Sequence, residues 1–137
     1  MKDVVFESLS KKDAEWLQKQ SAATLRRLMP RLEQRFSGEV DEEEWQGFKQ
    51  RVKEHFPRLF RCMYHLYGNQ YDFFYHLENT LCSATEMWIA RPNELKALDG
   101  LRETDPYWYL SHRIVGAMCY VDLFAGDLKG LMERVPY

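Results

Sequence analysis

The closing stretch, Ala117 to Tyr137, limits the possible folds more than any other part of the chain. Ala117 to Phe124 is almost wholly apolar or aromatic, with one carboxylate, Asp122, inside it. Such a run, ended by glycine, predicts a strand buried on both faces of a parallel sheet. Ala125-Gly126-Asp127 then breaks the pattern. Leu128, Leu131, Met132 and Val135 follow at i, i+3, i+4 and i+7, the spacing of one helix face. Strand, tight turn and opening helix make half of a βαβ unit, which needs a second parallel strand. The sequence offers none, so a truncated unit is expected, its strand resting on its own bundle or pairing with another copy.

The remainder reads as helical. Ser10 is placed to cap a helix over Lys11 to about Phe36, with Asp13 three positions on. Its inward stripe is Ala14, Leu17, Ser21, Leu25, Leu28, Leu32 and Phe36, and Pro30 is expected to kink or break it. Asp41 and Glu44 form a capping pair for the next helix, whose stripe is Trp45, Phe48, Val52 and Phe56. Pro57 either kinks that helix or begins a new one through Leu59, Phe60, Met63, Leu66 and Tyr67, and Gly68-Asn69 ends it. A further helix spans about Gln70 to Ala90 with Phe73, Phe74, Leu77, Leu81, Ala84 and Trp88 inward. Asn93 caps a short helix carrying Leu95, Leu98 and Leu101. Asp105-Pro106 starts one more turn through Trp108 and Leu110, and the strand approach begins at Ser111.

Composition bounds the function. Of 137 residues, 45% are hydrophobic and 15% aromatic, as in a folded globular protein. The net charge of −2 argues against nucleic acid as a partner. No apolar run reaches the roughly 20 residues of a membrane helix. Cys62, Cys82 and Cys119 lack metal-type spacing and read as reduced core thiols of a cytoplasmic protein.

Few residue patterns point to chemistry. His55, His65, His76 and His112 fall in neither a His-Glu-x-x-His nor a Glu-x-x-His frame, so surface or core-edge positions are expected. There is no Gly-x-Ser-x-Gly elbow, and Gly126, Lys129 and Gly130 do not make a phosphate loop. Arg27, Arg31 and Arg35, with Arg26 adjacent, form a basic stripe; a solvated face or salt bridges to a partner is the expectation, phosphate or nucleic-acid binding the alternative. Phe73-Phe74 and Tyr107-Trp108-Tyr109 could stack sugars; core packing is favoured at helical spacing, with Tyr107 to Tyr109 the exception left open, because three successive aromatics cannot all face one core. Asp122, near the C-terminal end of its strand, is the sharpest single candidate, and a structural hydrogen-bonded role is favoured for it.

The segment Cys119-Tyr120-Val121-Asp122-Leu123-Phe124-Ala125-Gly126-Asp127-Leu128-Lys129-Gly130-Leu131, with Val135-Pro136-Tyr137, closely resembles the amylosucrases, bacterial members of the α-amylase superfamily of glycoside hydrolases. Trp45 with Phe48, His55-Phe56-Pro57, Tyr67-Gly68-Asn69, Arg91-Pro92 with Leu95, and Pro106 with Trp108 resemble that family's helical N-terminal domain. The resemblance implies an all-α bundle over 1–111, followed over 112–137 by the first strand and helix start of a truncated (β/α) eight-fold barrel. It also implies a parent enzyme that moves glucose from sucrose to an α-glucan, releases fructose and retains configuration through two carboxylates. Those carboxylates lie on later barrel strands, so the resemblance transfers no catalytic, substrate-binding or metal residue and no cofactor to this chain. The expected partners are sucrose and α-glucan for the parent only, with a homodimer through the helical domain. The alternative expectation is a stand-alone helical oligomerisation or interaction module without enzymatic activity.

Overall fold

The computed structural model describes residues 8–68, 73–90 and 104–119, excluding the side chains of 87–90. These residues form four helices: α1 (Lys11–Phe36), α2 (Glu42–Tyr67), α3 (Phe73–Ala90) and α4 (Pro106–Cys119). Among the described residues there is no strand.

Local chemistry sets the helix ends as the sequence predicts. The Asp13 amide donates to Ser10 Oγ at 3.1 Å, and the Glu44 amide to Asp41 Oδ1 at 2.8 Å. Each cap satisfies one of the orphan donors of a first turn. Glu42, Glu43 and Glu44 add negative charge where the dipole of α2 is positive. At the other end of α2, Gly68 takes φ +56°, a left-handed conformation that glycine adopts without a Cβ clash. Asp105 caps α4 by accepting from the Trp108 amide at 3.2 Å, and Pro106 occupies the first helical position, where no N–H is required.

Neither proline breaks its helix or starts a new one. Both α1 and α2 continue as single helices, through Pro30 and Pro57. An internal proline costs about 3 kcal/mol in a helix. In α1, buried Leu28, Leu32 and Phe36 flank the break in hydrogen bonding; in α2, Val52 and Phe56 precede it and Leu59 and Phe60 follow. Each such side chain gains about 1.5–3 kcal/mol on burial, so packing outweighs the lost bond.

The helix directions follow from the contacts. Trp16 meets Tyr64 and Phe36 meets Phe48, so α1 and α2 are antiparallel. His65 stacks on Tyr107 while Arg51 reaches Met118, so α4 is also antiparallel to α2. Arg27 lies over Phe74, Arg31 pairs with Glu78 and Arg35 with Glu86, so α3 runs parallel to α1. Helix α2 touches all three others. Leu59, Phe60, Arg61, Cys62 and Met63 are buried in succession, which requires neighbours on every side.

The strand expected from Ala117 needs correction. Ala117, Met118 and Cys119 are the last turn of α4, not extended chain, and α4 passes through the 111/112 boundary. In α4, Tyr109, Leu110, Ser111 and Arg113 to Met118 are all buried. A helix enclosed on all sides carries no amphipathic period, so its apolar run is indistinguishable from that of a buried strand. The remainder of the expected strand, Tyr120 to Phe124, the barrel helix after it and the short helix at Leu95 to Leu101 lie outside the described residues.

Phe56 is fully buried on α2, beside Phe60. Phe56→Ala is expected to lower the unfolding free energy by about 3–5 kcal/mol, as read from urea denaturation.

Candidate functional site

The most specifically built polar arrangement joins α2 to the end of α4. Arg51 Nε donates to the Met118 carbonyl at 2.5 Å, and its Nη2 reaches the Cys119 carbonyl at 3.4 Å. The last carbonyls of a helix have no intrahelical partner and carry partial negative charge. A guanidinium from a neighbouring helix supplies both donors and charge. Gly47, one turn before Arg51, provides the space: a Cβ there would stand 2.9 Å from Arg51 Nη1. The clamp borders a cavity of about 520 Å³ lined by Phe36, Val40, Trp45, Phe48, Arg51 and Cys119, with Glu39 and Glu44 at its rim. It fixes the C-terminal end of α4 against α2. Arg51 did not stand out in the sequence. The available signal was Gly47, since an interior helical glycine costs about 1 kcal/mol relative to alanine and often marks a close approach.

The basic stripe is engaged within the chain. The Arg27 guanidinium lies 3.9 Å from the centre of the Phe74 ring. Arg31 pairs with Glu78 at 2.5 Å, and Arg35 Nε donates to Glu86 Oε1 at 2.7 Å with Nη2 on the same oxygen. Donating to the Glu78 and Glu86 carboxylates raises the pKa of Arg31 and of Arg35 above the ordinary value. The stripe is therefore a charge ladder between α1 and α3 of the same chain, where a solvated face or salt bridges to a partner were expected.

The histidines meet aromatic rings. His65 stacks on Tyr107 at 3.9 Å, and His76 on Tyr67 at 4.2 Å with planes 5° apart. Trp108 stands between Tyr67 at 6.0 Å and His112 at 5.9 Å. Thus Tyr107 and Trp108 pack on rings while Tyr109 is buried. No set of three or more His, Cys, Asp or Glu side chains among the described residues could hold a metal ion. Burial lowers the pKa of His55 and of His112, and no described residue hydrogen-bonds either Nδ1.

All three cysteines are free. Burial pushes Cys62 up to about 12 and Cys119 up to about 12. It also raises Cys82, against the pull of Arg35. Protonated thiols are poor nucleophiles, and these cysteines serve packing. Phe73 and Phe74 pack partly buried against the core. Asp122, Gly126, Lys129 and Gly130 lie outside the described residues. No helix among the described residues is long and apolar enough to cross a membrane. No protein-family model matches the chain, and no solved structure matches it.

Two predictions follow from this geometry. Arg51→Met leaves the Met118 and Cys119 carbonyls without their charged donor, and is expected to lower the unfolding free energy by roughly 1.5–3 kcal/mol, read as a lower urea midpoint. The second concerns pH. Unfolded His55 and His112 take up protons near pH 6.5, whereas burial holds their folded pKa lower. Their contribution is complete above that value and is lost as pH falls through it towards the folded pKa. The urea midpoint should drop between about pH 7.5 and 5.5, and by less in His112→Gln.

Proposed function

We propose that the chain is the amino-terminal helical module of an amylosucrase-like sucrose glucosyltransferase, and that the module itself carries no catalytic group. The observation that supports this reading is the segment Cys119–Leu131 with Val135-Pro136-Tyr137, which resembles the family's first barrel strand and helix and follows directly on a helical bundle. The bundle agrees with the all-α part of that architecture. In this reading α4 delivers the chain to the barrel, and Arg51 fixes the delivery point. Transfer of glucose from sucrose to an α-glucan, with fructose released and configuration retained, is performed by two carboxylates of the parent barrel. Three free thiols support a cytoplasmic location.

A second reading, an independent helical interaction module, is favoured by one observation: the core is continuous from α1 to α4, and it includes Ile114, Val115, Ala117 and Met118 near the end of α4.

Sucrose assays separate the two. The protein encoded by the full open reading frame is expected to release fructose and extend an α-glucan, while the purified 137-residue chain releases none. A full-length product without a second barrel strand and without sucrose cleavage would overturn the glucosyltransferase reading. Fructose release by the 137-residue chain would overturn the assignment of a non-catalytic module.

A further inference from the structure

A second groove lies at the opposite end of the bundle from the Arg51 clamp, where the N-terminal parts of α1 and α3 meet the C-terminal end of α2. Its volume is about 280 Å³, near the lower limit of the roughly 300–1,000 Å³ of small-molecule sites. Two kinds of group line it. The first is a relay of aromatic rings in edge-to-face contact: Trp16 on Tyr64 at 6.0 Å, Tyr64 on Phe73 at 6.2 Å, and Phe73 on buried Phe60 at 5.3 Å. These contacts hold the rings in place before any ligand arrives, which reduces the ordering cost of binding. Trp16 is nevertheless 45% exposed, whereas the other three tryptophan side chains are buried, half-buried or outside the described residues. The second group is a polar row on α1, Gln20 and Thr24, one and two turns beyond Trp16 and so on the same face. Successive turns are about 5.4 Å apart, comparable with the length of one pyranose unit.

Charge narrows the ligand class. Among the described residues that line this groove there is no carboxylate. The cation among them, Arg27, lies over the Phe74 ring at 3.9 Å. The cavity beside Arg51 carries Glu39 and Glu44, and the α1–α3 groove carries Arg31, Arg35 and Glu78. A neutral ligand with apolar C–H faces and a belt of hydroxyl groups suits the first groove and neither of the others.

We propose that the groove of Trp16, Gln20, Thr24, Tyr64 and Phe73 binds a neutral oligosaccharide. The exposed Trp16 ring stacks against a pyranose face, and Gln20 and Thr24 hydrogen-bond the hydroxyls of that ring and the next. The site performs no chemistry; it holds a sugar chain on the bundle surface. The inference goes beyond the glucosyltransferase reading and does not depend on it, because it stands on the lining of the groove alone.

Calorimetric titration of the 137-residue chain with maltoheptaose and, separately, with cellopentaose tests the site. Saturable binding of at least one is expected. Trp16→Ala should weaken it by about tenfold, and the exposed Gln20→Ala by about threefold, with helical circular dichroism unchanged. Binding of maltoheptaose or of cellopentaose supports the site equally, and the pair of titrations identifies the linkage it accepts. Absence of saturable binding by both, up to about 10 mM, would overturn the proposal. Equal affinity in wild type and in both variants would also overturn it. Neither result bears on the sucrose assays, which read a different part of the protein.

Discussion

The bundle depends on α2 persisting as one helix through Pro57. Everything after that proline, from Leu59 to Met63, is buried without interruption, so this half of α2 is the post around which the other helices stand. Had the chain broken at Pro57, neither Phe60 nor Met63 would hold its present register. Phe60 supports Phe73 of α3, and Tyr67 supports Trp108 of α4. The missing backbone bond is a local cost of about 3 kcal/mol, set against the burial of several large side chains. Folding therefore favours the continuous helix.

Polar contacts then refine what apolar burial assembles. Surface ion pairs contribute little individually, about 0–1 kcal/mol, so Arg31–Glu78 and Arg35–Glu86 do not hold α1 to α3 by energy alone. Together with Arg27 over Phe74, they fix direction and register, since opposite charges and a ring face coincide in only one alignment. The Arg51 clamp differs in kind. It satisfies two carbonyls at a helix end that is partly enclosed, where an unmet acceptor is costly.

Much of this was legible in the sequence. Caps with local partners, Ser10 and Asp41, could be read directly because the donor lies three residues away. The stripes of α1 and of the first half of α2 could be read because one face is core and the other solvent. Legibility fails where burial becomes isotropic. Residues 109–118 of α4 are enclosed almost throughout, so their hydrophobicity has no period, and Ala117 to Cys119 resembled a strand. The helix break and the new helix start that the prolines offered are absent for a related reason: propensity is local, while the packing that overrides it is not. Arg51 was invisible because its partners lie 67 and 68 residues away. The aromatic groove was hidden differently, since Trp16 and Phe73 are unremarkable singly and become a site only when α1, α2 and α3 meet.

The helix directions carry a consequence for the electrostatics of the described helices. Among them three point one way and α2 the other, an imbalance that an up-down-up-down bundle avoids. If each terminus carries about half an elementary charge, these four together contribute roughly one unit of negative charge at the end where α4 finishes, and the opposite sign at the far end. Arg51 sits at the negative end, so the clamp also acts as a counterion built into the chain. The four described helices thereby form a partly compensated dipole, with a preferred orientation in any external field.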